Sequence, residues 1–185
     1  MKLYATLTPK KKSRSMNIQT LVDRIEDYKK DLNNKTAILV NRLLEIGIDV
    51  AECNVGEYGQ YIVFERRVNE AFNGYIGVLI GKDGQKYFSE WDLPNGEKAG
   101  YEVSPILLAE FGSGWFANVI GNITGVGQGT MPNAKGHAFD PKGWWYRKDG
   151  EWHHSYGERP TYPMHRATVQ MLVDIDRIAK EVFNG

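Results

Sequence analysis

Cysteine is almost missing from this chain: Cys53 is the only one in 185 residues. A disulfide within the chain is therefore excluded, which suits a reducing compartment. Long apolar runs are missing too, and nothing approaches the roughly 18 residues a membrane helix requires. The apolar stretch in Met1 to Thr8 is too short for a signal peptide, so the expectation is a protein made and assembled in the cytosol, away from membranes. Net charge is absent as well, because Lys plus Arg and Asp plus Glu both number 23. That balance argues against a protein whose main work is to grip nucleic acid. No internal repeat is visible.

What is present fits one globular domain. With 42% hydrophobic and 12% aromatic residues, a chain of this length can remove roughly 70% of its unfolded surface from water. The charge is nevertheless uneven. Lys10, Lys11, Lys12 and Arg14 crowd together with no acid before Asp23. Residues 1–16 are therefore expected to form a solvated, flexible basic arm, and residues 17–185 a single domain.

From Ile18 to about Ile46 apolar residues recur in steps of three and four: Ile18, Leu21, Ile25, Tyr28, Leu32, Leu39, Leu43 and Ile46. That spacing predicts one long amphipathic helix, capped by Asn17 and stopped at Gly47. Asn33-Asn34 is its expected weak point. Such a helix is on the order of 40 Å long, enough to pack along a sheet and leave one end free. Strand composition follows at Tyr61 to Val68, Tyr75 to Ile80 and Lys86 to Trp91. Asn73-Gly74, Asp83-Gly84, Asn95-Gly96 and Asp149-Gly150 supply tight-turn dipeptides. Parallel pairing would need crossover helices for which there is no room, so the strands are expected to be antiparallel.

Residues Gly112 to Gly143 carry eight glycines, with Pro132 and Pro141 among them, and read as a long loop. Gly143 to Arg147 and Glu151 to Ser155 predict a hairpin about Asp149-Gly150. Pro163 then suits the first turn of a last helix, whose apolar face is Met164, Ala167, Met171, Ile175, Ile178 and Val182. The expected fold class is α+β: a long N-terminal helix and a C-terminal helix packed on an antiparallel β-sheet, with a long glycine-rich loop.

Reactive constellations are weak in this sequence. His137, His153, His154 and His165 fall in the C-terminal half, with Asp140 or Glu158 as further ligands for a metal. Adjacent strand residues point to opposite faces, however, so His153 and His154 cannot both join one site. Polar or interface histidines are the favoured reading, with no metal and no cofactor. Gly112-Ser113-Gly114 lacks the spacing of a hydrolase elbow. Gly121, Gly125, Gly127 and Gly129 are followed by no Gly-Lys-Ser or Gly-Lys-Thr and match no nucleotide fingerprint. Glu110, Asp140 and Glu151 are acids near the aromatics, but the sequence alone selects no catalytic pair. Trp115, Trp144, Trp145, Trp152 and Tyr156 form a dense aromatic group. Large rings of this kind fill cores, anchor protein contacts or stack on sugars. Subunit contact is the functional role assigned to them, and no enzyme is expected.

Two segments carry a resemblance. Pro105-Ile106-Leu107-Leu108-Ala109-Glu110-Phe111-Gly112-Ser113-Gly114 resembles the apolar, then Glu-Phe-Gly-Thr-Gly, signature of a bacteriophage and prophage morphogenesis family of tail-completion, or neck, proteins. Pro160-Thr161-Tyr162-Pro163-Met164-His165-Arg166-Ala167 resembles that family's Pro-x-x-Pro-Phe-x-x-x-Ala approach to its final helix. The motifs cover about twenty residues, and the order of elements is similar from Asn17 onward. Asn54 to Gly59 departs from the family's Pro-x-Asp-Thr-Gly-x-Leu, and Trp144 to Tyr156 is richer in aromatics. Glu110, Phe111, Gly112, Gly114, Pro160 and Pro163 are read as shaping turns, with no need to touch a substrate.

The resemblance implies a structural virion protein that joins head to tail through a ring-shaped homo-oligomer. A hexamer is favoured and a dodecamer possible. It further implies other neck and tail proteins as partners, transient contact with DNA in the channel, no membrane, and a place in the virion after assembly in the host cytoplasm. The alternatives are a carbohydrate-binding or cell-wall-degrading module, a metal-dependent hydrolase, or another tail or minor capsid protein such as a tail terminator.

Overall fold

The computed structural model describes residues 17–116 and 141–184. The basic arm, His137, Asp140 and most of the glycine-rich segment lie outside the described residues. Helix α1 (Ile18–Cys53) opens the fold, followed by a 3-10 turn (Gly56–Tyr61). Strands β1 (Ile62–Ala71), β2 (Gly74–Asp83), β3 (Tyr87–Asp92) and β4 (Lys98–Val103) lead to a short helix, α2 (Pro105–Phe111). Strands β5 (Trp144–Lys148) and β6 (Glu151–Ser155) precede the last helix, α3 (Pro163–Asn184). The class is α+β. The strands are antiparallel, but they form three separate two-stranded ladders, β1-β2, β3-β4 and β5-β6, in place of one continuous sheet.

Helix α1 begins where expected, with the Asn17 side chain accepting from the Gln19 amide at 3.3 Å. It does not stop at Gly47. A β-carbon there would lie 2.8 Å from Met171 Sδ and 3.1 Å from Leu79, so this glycine admits α3 and β2 close to the helix axis. That close approach offsets the roughly 1 kcal/mol a helical glycine costs relative to alanine. The helix ends at Asn54, whose amide bonds to Ala51 O at 3.0 Å. Nor does it break at Asn33-Asn34. Two asparagines cost on the order of 1 kcal/mol, less than restarting a helix from a new nucleus.

The turns divide by chemistry. Asp149 and Gly150 both adopt positive φ, 52° and 84°, as the tight turn between β5 and β6 demands. Gly96 (φ 84°) closes the β3-β4 turn, its amide bonded to Leu93 O at 3.0 Å. Ala71 pairs with Gly74, so the β1-β2 loop is Phe72-Asn73, one residue earlier than the Asn-Gly dipeptide. Asp83-Gly84 is not a hairpin turn at all, because β2 and β3 do not pair. Its Asp83 carboxylate accepts from the Ile106 amide at 2.9 Å, and Gly84 N bonds to Tyr61 O at 2.7 Å. Those bonds steer the chain from one hairpin to the next.

Two packed regions hold these parts together. Val55, Tyr58, Ile62, Val103, Leu108 and Ala109 form a buried cluster, lined by Phe64, Tyr87 and Ile106. Where the two long helices pack, Leu44, Gly47 and Ala51 of α1 and Ala167 and Ile178 of α3 are buried. Ile175, expected on that apolar face, is 41% exposed. It sits three residues before Ile178, at the edge of the buried stripe. Arg42 pairs with Glu181 at 2.6 Å and Arg66 of β1 with Glu45 at 2.5 Å. Among the described residues, no helix is long and apolar enough to cross a membrane.

Candidate functional site

The segments singled out around Glu110 and Pro160 are far apart in sequence and bonded to each other in space. Ala109 O accepts from the amides of Thr161 (2.8 Å) and Tyr162 (3.1 Å). Ser113 N donates to Glu158 O at 2.9 Å, and Glu158 N donates back to Ser113 Oγ at 2.9 Å. Trp115 N completes the run on Tyr156 O at 3.0 Å. Ser113 is thus a buried hydroxyl occupied by a backbone amide, which gives it a structural task. Gly112 (φ 66°) lies so close to the Glu158 carbonyl and Pro160 that a side chain would collide with both. Gly114 (φ 60°) leaves room for Trp144, whose Cζ3 would stand 2.7 Å from an added β-carbon.

Glu110 has a role that sequence reasoning missed. Helix α3 starts at Pro163, and the residue before it, Tyr162, has φ 60°. The first turn of a helix leaves amides without partners inside the helix. Glu110 fills that need from another element: its carboxylate accepts from Met164 N at 2.8 Å and His165 N at 3.0 Å. A carboxylate at the positive end of a helix is favourable in charge as well. The legible signal was the missing Ser, Thr, Asp or Asn before Pro163, which predicts an acceptor from elsewhere. Phe111 is half-buried, and Pro160 and Pro163 stiffen the chain that enters α3.

A second group missed in the sequence lies beside it. The Tyr58 hydroxyl and the Glu158 carboxylate influence each other's titration, with Glu57 as a further neighbour. Burial pushes the Glu158 carboxyl above its ordinary value; the Tyr58 hydroxyl opposes that rise and the Glu57 charge adds to it. Burial first, and the Glu158 charge after it, raise Tyr58 far above the ordinary tyrosine range. Tyr87 is raised by the same causes. Positions 58 and 158 share no local spacing, so no sequence pattern could have joined them.

The aromatic hairpin is the exposed part of the site. In the β5-β6 register Trp145 pairs with His154 and Arg147 with Trp152. Side chains opposite one another share a face, so these four lie together. Trp145 is 65% and Trp152 68% exposed. His154 packs between Trp145 and Tyr156, with ring centroids 4.6 Å from each. On the other face Trp144 turns to the Gly114 joint, and His153 stacks on Tyr146 at 5.4 Å. Trp115 and Tyr156 both reach solvent. Of the five aromatics assigned to contact, Trp144 alone is turned inward.

The three described histidines, His153, His154 and His165, do not converge. His153 and His154 occupy opposite faces, and His165 sits in the first turn of α3 with its ring 6.2 Å from Tyr162. Among the described residues, no group of three or more His, Cys, Asp or Glu side chains could hold a metal ion. Cys53 is exposed at the end of α1. A shallow depression between β3 and the β5-β6 tip is lined by Phe88, Trp91, Asp92, Lys98 and Lys148, and Asp92 holds the tip through the Gly150 amide at 3.0 Å.

No protein-family model, no curated protein and no solved structure matches the chain.

Proposed function

We propose that this protein is a structural assembly component of a phage-like particle, a tail-completion or neck protein that joins head to tail as a ring-shaped homo-oligomer. One observation carries the reading: both segments that resemble the neck family are employed in fixing one another. Glu110 caps α3, Gly112 and Gly114 admit Glu158, Pro160 and Trp144, and Ser113 is spent on a backbone amide. Residues so engaged build a rigid scaffold and leave the exposed aromatics for contact. A closed ring uses unlike patches of neighbouring copies, and the Trp145–Trp152 face is assigned to one of them. Large rings buried in a partner's pocket are the usual anchors of such contacts.

The test is assembly of the full chain, followed by electron microscopy and native mass spectrometry. Closed rings are expected for the natural sequence. Trp145→Ala with Trp152→Ala is expected to release smaller species while leaving the fold intact. Unchanged rings in that variant would reject the hairpin's role, and the absence of any closed ring would reject the reading itself. A second reading rests on the same exposed tryptophans, which could stack on sugars as a carbohydrate-binding module. Quenching of tryptophan fluorescence by cell-wall polysaccharide would favour it.

A further inference from the structure

A ring contact between unlike patches needs a second surface to receive the exposed tryptophans. Apolar strips stand open in three places among the described residues. The outer half of α1 exposes Leu21, Ile25 and Tyr28, and the β1-β2 hairpin exposes Val63, Ile76 and Val78. The outward side of α3 exposes Val169, Leu172 (66%) and Val173 (68%). Burial of apolar area is non-directional and would suit any of them.

Charge selects among the three. Trp145 and Trp152 share their face with Arg147. Its Nε–H goes to Gly150 O at 3.3 Å, and among the described residues no carboxylate pairs with its guanidinium. The receiving strip therefore needs an acid that is not already taken. On β1-β2, Glu65 lies on the right face but is held by Lys82 and flanked by Arg67. On α1, the helical turn carries Asp23, Glu26 and Asp27 away from the apolar stripe, and Asp31 pairs with Lys35 at 3.3 Å. Helix α3 differs. Asp176 follows Leu172 by four residues and Val173 by three, so it stands inside the strip. It is exposed, and among the described residues its carboxylate enters no ion pair. Its neighbour Asp174 is already held by Gln170 and Arg177.

We propose that the ring contact seats the Trp145–Trp152 face of one copy on Val169, Leu172 and Val173 of the next copy's α3, with Arg147 against Asp176. The proposal rests on the ring reading above and names the patch that reading leaves open. Spacing agrees with it. Trp145 and Arg147 are two strand residues, about 7 Å, apart, and Leu172 and Asp176 are four helical residues, about 6 Å, apart. A further step of the same size sets Asp149 at the hairpin tip beside Lys180. Both surfaces are exposed within one copy, so the contact takes two copies. The patches differ, which makes it heterologous.

The test uses the full chain, with native mass spectrometry and sedimentation velocity reading association and circular dichroism checking the fold. Arg147, Leu172 and Asp176 are all exposed, so their replacement leaves the packed regions alone. Arg147→Glu or Asp176→Arg alone is expected to weaken association about ten-fold, as an attractive pair becomes repulsive. The two shift net charge in opposite directions, so a general charge effect does not weaken both. An equimolar mixture of the two variants is expected to recover assembly, because each contact between unlike copies then joins opposite charges. Leu172→Asp is expected to remove it. Rings that persist unchanged in Asp176→Arg and Leu172→Asp would overturn this contact and leave the ring reading standing, and a mixture that fails to recover would overturn it as well. Open chains that depend on Asp176 would uphold the contact and reject the ring. A natural chain that stays monomeric would reject both.

Discussion

The two halves of α1 belong to one unbroken helix and live in different surroundings. From Thr36 to Cys53 it is roofed by α3 and floored by the β1-β2 hairpin, and Leu44, Gly47 and Ala51 are buried. From Ile18 to Leu32 it carries six large apolar residues, and all are exposed. Helical spacing is the same in both halves, so periodicity alone cannot say what covers a stripe. Coverage depends on α3, whose last turns lie against the inner half, with Glu181 at Arg42.

The comparison is sharpest when one substitution is made in each half. Leu44→Ala is expected to destabilise the fold by about 3 kcal/mol, because the side chain is 4% exposed and its removal leaves a cavity. Leu21→Ala is expected to cost less than about 0.5 kcal/mol in the separated chain. Urea unfolding followed by circular dichroism measures both, and equal losses would show that the outer half is covered within one copy.

Glu110→Ala is expected to cost about 1 to 2 kcal/mol by uncapping α3. Hydrogen exchange should rise first at Met164 and His165 and leave the outer half of α1 unchanged.

A smaller effect follows from Glu158. The folded chain raises this carboxyl above its ordinary value of 4.5, so it binds that proton more tightly than the unfolded chain does. The resulting stability is full below 4.5 and is lost as pH climbs through the raised value. Glu158→Gln should flatten that fall in a series of melts from acid to neutral pH, whereas the same series on Leu21→Ala should keep it.

The smallest expected change is Asn33→Ala, a gain of about 0.5 kcal/mol from helix propensity. It should appear as higher helicity with no change in the packed half.

Local chemistry made much of this fold legible. The Asn17 cap, the Asp149-Gly150 turn, the limits of β6 and the Pro163 helix start follow from residues within four positions of one another. What escaped was decided at a distance. Gly47 reads as a stop until Met171 is seen against it. Asp83-Gly84 reads as a hairpin until its carboxylate is found on Ile106. Strand β4, with Gly100 and few branched residues, shows its pairing only through β3. For the site, the Glu110 and Pro160 segments were visible separately, but their union required the fold. Glu158 was weighed only as a metal ligand, and its influence on Tyr58 was hidden.

Gly47 also stands at the inner end of a long lever arm. Ile18 lies roughly 40 Å along the axis from it, at 1.5 Å per residue. One degree of tilt at that contact therefore swings the tip through about 0.7 Å. A small change in how α3 seats on the inner half would therefore be magnified at the far end of the rod.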